Sequence, residues 1–229
     1  MSLLIKTAAT VPNPLAIDFA SVPSALGHWI FGKNTTSSLT NRVNGVVNSN
    51  SDKLTVSENG AVVNTKFNLD TAITAAQTGI FIFNADAVTS ESQYAKFNVL
   101  GDDFSYITLR GVHSTPSSRN LGVFYGAGTS YSSNTVENNL YFGNVFAAIT
   151  YNLTTKLATL HYFVNGVRKT ITLDLTTPNP TGIKPFLNTN AGNKHYEHAF
   201  FSSILSDTDI EKYYATMKKV YARKGIAIN

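Results

Sequence analysis

The sequence predicts an all-β protein, a two-sheet antiparallel sandwich of the jelly-roll kind with one C-terminal amphipathic helix. Three observations predict it. Apolar runs recur about every ten to twenty residues with polar turn clusters between them, the rhythm of sandwiches and not of βαβ units. Over residues 104–112 the side chains alternate: Ile107 and Leu109 share a face with Ser105, and Tyr106, Thr108 and Arg110 take the wet face. Convincing helical periodicity appears once, near the C-terminus, where Ile210, Tyr213, Tyr214, Met217 and Tyr221 recur on one face.

In chain order, HWIFG (28–32), GVVNS (45–49), KLTVSE (53–58) and AVVNTKF (61–67) read as early strands. Glu58-Asn59-Gly60 joins the last two, and because Asn and Gly tolerate positive φ it predicts a type I′ hairpin turn. LDTAITAAQ (69–77) reads as a helical turn or two, ended by Gly79, and GIFIFNA (79–85) as a buried strand. YAKFNVLG (94–101) and the alternating run follow; HSTPSSRN (113–120) reads as a loop, NLGVFYGAG (120–128) as a strand and GTSYSSNTVENN (128–139) as a long polar loop centred on Tyr131. LYFGNVFAAITYNL (140–153) and KLATLHYFVNG (156–166) predict two successive hairpins, with turns at 152–156 and at Asn165-Gly166. VRKTITLDL (167–175) is the next strand, Pro178-Asn179-Pro180 breaks the chain, and IKPFLNT and HYEHAFFSS close the β-rich part. Ser206 or Asp207 caps a helix over about 207–223, which Gly225 ends; GIAIN is a short tail or a last strand.

No linker or internal repeat divides the chain, so one domain is expected over 26–229, preceded by an N-terminal arm or edge segment at 1–25. At 229 residues with 43% hydrophobic and only 14% charged residues, the chain can bury a large core but must cover it mostly with Asn, Ser and Thr. The net charge of +4 reflects a shortage of acids. Lys218, Lys219, Arg223 and Lys224 suit the negative end of a helix dipole rather than a nucleic-acid groove. There is no cysteine, which excludes disulfides, thiolate metal sites and thiol chemistry. Pro12 and Pro14 interrupt the start, so no Sec-type signal is read there, and no apolar run reaches the length of a membrane span.

From about residue 26 to 222 the order of elements resembles a known family. GHWIF opens it, GIFIF is its buried strand, ITYNLTTKLATLHYFVNGV its paired strands, and FFSSILSDTDIEKYYA its close. This is similar to the laminin-G-like branch of the concanavalin A-like lectin/glucanase superfamily. The closing element, Leu205-Ser206-Asp207 followed by Ile210 and Tyr213 or Tyr214, is the more specific part. The resemblance implies two curved sheets stacked as a jelly roll, with ligands on the concave face or rim loops. Two departures stand out: Asn152 replaces an Asp the family often has, and one extra residue separates Leu160 from Asn165-Gly166. The resemblance also makes calcium possible on a rim loop, with Asp102 and Asp103 the candidates, although two acids make a poor cage.

The hydrolytic relatives carry carboxylates at alternating positions of one strand, about 5 Å apart. No such string occurs. Asp207 and Asp209 read as capping and dipole residues, and Asp102-Asp103 are adjacent. In HYEH a regular strand would put His195 and Glu197 on one face and His198 on the other, which speaks against a metal site and for a rim or edge pair. No GxSxG elbow or phosphate loop is present. No catalytic residue, metal site or required cofactor is therefore expected.

Binding remains. Sugars stack on aromatic plates and are read by planar amides and guanidinium groups. Tyr106, Arg110, His113, Arg119, Tyr125, Tyr131, Asn134 and Asn138 supply those types in one neighbourhood, unless they merely decorate a soluble β-surface. Trp29 reads as a core anchor. The expectation is a non-enzymatic lectin-like module recognising cell-surface glycan. Its composition also suits a bacteriophage virion, as a tail-fibre or receptor-binding protein with other virion subunits and further copies of itself as partners, displayed in several copies. An extracellular setting is the broader form of that expectation. The rivals are a structural or decoration subunit without a sugar ligand, docked through Leu3, Leu4, Ile5 and VPNPLAIDF, and an atypical glycan hydrolase dependent on Glu197.

Overall fold

The computed structural model describes residues 22–48, 54–63, 67–68, 74–84, 92–98, 105–115, 118–127, 130–135, 143–175, 185–187 and 193–229. Among them are fourteen strands and two helices. The first half comprises β1 (Ala25–Ile30), α1 (Thr35–Leu39), β2 (Leu54–Ser57), β3 (Gly60–Val63), β4 (Phe67–Asn68), β5 (Ala76–Asn84), β6 (Ser92–Asn98) and β7 (Ser105–Thr115). The second comprises β8 (Ser118–Ala127), β9 (Ser130–Thr135), β10 (Asn144–Asn152), β11 (Leu157–Val164), β12 (Val167–Asp174), β13 (Pro185–Leu187), β14 (Lys194–Phe201) and α2 (Asp207–Ala222). One eight-stranded antiparallel sheet runs β12-β11-β10-β5-β14-β3-β2, with β1 also paired to β14; a six-stranded sheet runs β4-β13-β6-β7-β8-β9. The chain leaves the large sheet for the small one at β4, β6 and β13, as the jelly-roll reading expects.

The central strands of the large sheet, β5, β10 and β14, are buried on both faces. Phe81, Phe83, Val145, Ala147, Ile149, Leu160 and Phe200 point into the space between the sheets, where they meet Ile107, Leu109, Leu121, Val123 and Tyr125 of the small one. Ile80, Ile82, Phe146, Ala148, Phe163 and Phe201 point the other way and are covered by Ile210, Tyr213, Tyr214, Met217 and Tyr221 of α2. Phe163 and Tyr214 stack with centroids 3.7 Å apart. This double burial is why GIFIF and NVFAAI read as unbroken apolar runs, unlike the alternating sequence of β7 in the small sheet. Trp29 is 1% exposed, edge-on to Phe200, the core anchor expected of it.

The double hairpin is present. Asn165 (φ 52°) and Gly166 (φ 80°) form the two-residue turn between β11 and β12, and Lys156 (φ 58°) closes the preceding one, where Asn152 Oδ1 accepts from Thr154 N and Thr155 N. Ser206 caps α2, its Oγ accepting from Asp209 N at 3.1 Å, and Gly225 (φ 73°) ends it. Asp207 and Glu211 pair with Arg168 of β12, fastening the first turn to the sheet. The tail forms a single parallel bridge, Ile228 to Asn144.

Several expectations fail locally. GVVNS is not a strand beyond an isolated bridge at Val47, and TTSSL, unread in the sequence, is a helical turn capped by Asn34 Oδ1. The end of 69–77 lies in β5, because pairing with β10 outweighs the helix propensity of the alanines. Residues 113–115 and 118–120, read as loop, extend β7 and β8, and 130–135, also read as loop, form β9. Their Ser, Asn and Thr content signalled turns, but ladder pairing overrides it. The β2–β3 hairpin forms without a type I′ turn: its loop is Glu58-Asn59, and Gly60 (φ 144°) is the residue with positive φ. Most of the 1–25 arm, with Leu3, Leu4 and Ile5, lies outside the described residues, as do Asp102 and Asp103.

Candidate ligand-binding site

The residues proposed from sequence do not share one face. Ile107 is paired with Tyr125, and Tyr125 with Ser132, so Tyr125 stands on the core face; it is 2% exposed and packs in the inter-sheet core. That removes it as a stacking plate. Asn134 is paired with Val123 and so holds an inner register position; His113, paired with Arg119, lies in step with Ile107 and Leu109 at the end of the same ladder. Tyr106, Gly126 and Tyr131 are in register on the opposite face, and Arg110 falls there too, opposite Gly122. Asn138 lies outside the described residues. Tyr106, Arg110 and Tyr131 thus hold outer register positions, and the other paired members hold inner ones.

HYEH also departs from a regular strand. A β-bulge between His195 and Glu197 inserts Tyr196, so that His195 is paired with Phe83, Glu197 with Ile82 and His198 with Phe81. His195 and His198 therefore share the inner face, Nδ1 to Nε2 at 2.9 Å, while Glu197 turns to the helix side. Burial pushes the His195 imidazole down to about 3 and His198 well below its ordinary range, so both stand neutral. Among the described residues no three His, Asp or Glu side chains are grouped to hold a metal ion.

Glu197 is buried under the end of α2. Its Oε1 lies 2.8 Å from His28 Nε2, and its Oε2 accepts from the Tyr221 hydroxyl at 2.7 Å. Burial, then the Glu197 charge and its hydrogen bond, hold the Tyr221 phenol well above its ordinary pKa. Tyr221 thus stays a neutral donor at any physiological pH.

Above this cluster lies a cleft of about 330 Å³ at the edge of the large sheet. Four segments build it: the end of β1 with Ile30, Phe31 and Gly32; the α1 region with Lys33, Ser37 and Arg42; the β2–β3 turn with Glu58 and Asn59; and the end of α2 with Tyr221, Lys224 and Ile226. Gly32 makes the cleft possible. Its φ is 131°, and a Cβ there would lie 2.6 Å from the carbonyl oxygen of Glu58, so only glycine lets the two segments pass this closely. Ser38 Oγ accepts from Gly32 N, and Glu58 O accepts from Lys33 N, which locks the crossing. Lys224 Nζ lies over the Tyr221 ring, 4.7 Å from its centroid. The cleft's size and mix of apolar wall with a few polar tips are those of a small-ligand site. Its polar residues come from positions 33 to 224, which no local motif joins; Lys224 was legible only as a dipole residue.

No protein-family model matches the sequence, and no curated protein matches it. Among solved structures the fold is shared with the structure of NanB plus Optactamide, at TM-score 0.50 and 17% identity over 66% of this chain and 26% of that one. NanB is a sialidase from Streptococcus pneumoniae. It is shared also with HCR/D-Sa-GBL1/C, at TM-score 0.51 and 13% identity over 84% of this chain and 52% of that one. The CBM40 module of a Ruminococcus gnavus IT-sialidase, bound to alpha2,3 sialyllactose, has TM-score 0.49 and 13% identity over 68% of this chain and 96% of that one. This chain spans about a quarter of NanB's length. The likeness establishes the β-sandwich fold.

Proposed function

We propose that this protein is a non-enzymatic, lectin-like module that binds glycan in the cleft between α1, the β2–β3 turn and the end of α2. The observation that carries the reading is the cleft's lining: the Arg42 guanidinium, the Asn59 amide, the Ser37 hydroxyl and the ammonium groups of Lys33 and Lys224 around the apolar surfaces of Ile30, Phe31 and Ile226. Planar and hydroxylic hydrogen-bonding groups beside apolar surface match the alternation of hydroxyls and C–H faces on a sugar. Glu197, the residue on which a hydrolase reading would depend, is 4% exposed, bonded on both oxygens, and absent from the cleft wall. A second accessible carboxylate to work with Glu58 is not among the residues that line the cleft.

Within this reading, the laminin-G-like branch and a setting on a virion or cell exterior remain the finer proposal, supported by the Cys-free, sparsely charged composition. A structural or decoration role is the second reading. Val46 and Val47, adjacent and each 51% exposed, favour it as a contact for another subunit. A glycan array with the purified protein tests the first against the second. Binding to defined glycans that is lost in an Arg42→Ala, Asn59→Ala double variant supports the lectin. No binding, together with co-sedimentation on particles that a Val46→Ser, Val47→Ser variant loses, supports the subunit.

A further inference from the structure

Resting on that reading, we propose that the cleft selects acidic saccharides, its ligand carrying a carboxylate or sulfate that sits among Lys33, Arg42 and Lys224. Three cations line one small concavity against a single lining acid, Glu58, in a chain whose charged residues are only 14% of the total. Concentrating cations here is costly unless something compensates them, because like charges packed together repel. None of the three has an ion-pair partner among the described residues; Lys224 has only the Tyr221 ring.

The backbone adds an independent sign. Lys33 holds φ at 63°, the left-handed region that costs a side-chain-bearing residue and that glycine would take freely. The other two such residues, Lys156 and Asn165, sit in hairpin turns, where the turn geometry requires it. Lys33 is in no hairpin. It follows Gly32 at the crossing that forms the cleft wall, so a residue without strain is available there and a lysine is used instead. Strained conformations of this kind gather at binding sites.

The floor gives the cations no direct ion-pair partner among the described residues. The Tyr221 hydroxyl is committed to Glu197, whose other oxygen faces His28, so the buried carboxylate is engaged from both sides beneath the phenol ring. What Tyr221 offers a ligand is the ring, which also holds Lys224 over the opening.

The test titrates the whole protein, followed by amide NMR, with trigalacturonic acid, its carboxyl-reduced neutral trisaccharide, lactose 3′-sulfate and neutral lactose, inorganic sulfate and a short oligothymidylate. The acidic sugars are expected to bind about tenfold more tightly than their neutral counterparts at low salt, the gap narrowing as ionic strength rises. The trisaccharide pair reports carboxylate recognition and the disaccharide pair sulfate recognition. Lys33→Gly is expected to be at least as stable as the parent while losing most of the preference for acid, which separates lost charge from lost fold. Neutral and acidic sugars binding equally at cleft residues would overturn the inference and leave the lectin reading standing. Inorganic sulfate binding as tightly as any sugar, or the oligothymidylate binding more tightly, would overturn it as well. Failure of every saccharide to shift cleft resonances would overturn both.

Discussion

Tyr221→Phe removes one oxygen from the molecule and tests the buried cluster under the cleft. The ring stays, 2% exposed among the helix-side core residues and under Lys224, so no cavity opens. What is lost is the 2.7 Å donation to Glu197 Oε2, whose carboxylate is 4% exposed and keeps the His28 contact. Hydrogen bonds to charged groups contribute about 1.5–3 kcal/mol, so a loss of about 2 kcal/mol is expected at neutral pH, or about 4–8 °C in Tm for a chain of this length. The pH dependence sharpens the test. Burial and Glu197 raise the folded phenol's pKa. Above about pH 10 the unfolded chain releases this proton while the folded chain keeps it, and the parent loses stability by up to about 1.4 kcal/mol per pH unit from this group. The phenylalanine variant lacks that loss, so the gap between the two proteins narrows as pH rises past 10. Urea denaturation at pH 7.5 and at steps between 10 and 11.5 measures it. A change below about 0.5 kcal/mol at pH 7.5, or a gap constant with pH, would refute the cluster as described.

Three other perturbations follow from the same geometry. The depressed folded pKa values of His195 (about 3), His198 and His161 (about 4, lowered by burial although Asp207 opposes it) mean that stability present above the ordinary histidine pKa is lost as pH falls below about 6.5. Each group steepens that slope by up to about 1.4 kcal/mol per unit; denaturation midpoints between pH 6.5 and 4.5 read it, and a flat profile would contradict the burial. Ser206→Ala removes the α2 cap and is expected to cost about 1 kcal/mol by urea denaturation, with no loss counting against the capping geometry. Gly32→Ala forces a Cβ to within 2.6 Å of Glu58 O at a φ of 131°; it is expected to destabilise by roughly 2–3 kcal/mol and to weaken sugar binding, and a well-tolerated alanine would disprove the crossing.

Much of the fold was legible because its signals are local. The Asn165-Gly166 turn, the Ser206 cap and the spacing of Ile210, Tyr213, Tyr214, Met217 and Tyr221 each depend on residues within a few positions, and each appears as expected. The site was not legible, for two physical reasons. Alternation assigns a residue to a face of its own strand, but register between strands decides which residues are neighbours, and the pairing of Tyr125 with Ile107 sent a presumed sugar plate into the core. One inserted residue, the bulge at Tyr196, likewise reversed the faces read for Glu197 and His198. The cleft is the opposite case: Lys33, Arg42, Asn59 and Lys224 are brought together only by the close passage at Gly32 and the docking of α2. Nothing in the spacing of those four residues announces it.

The proposed function requires that ligand be held in this cleft and not on the small sheet. An amide NMR titration with the best glycan from an array separates the two. Shifts confined to residues 30–33, 42, 58–59 and 221–226 are the predicted result. Shifts centred instead on Tyr106, Arg110 and Tyr131, with the cleft residues unmoved, would place the ligand on the small sheet and contradict binding in the cleft.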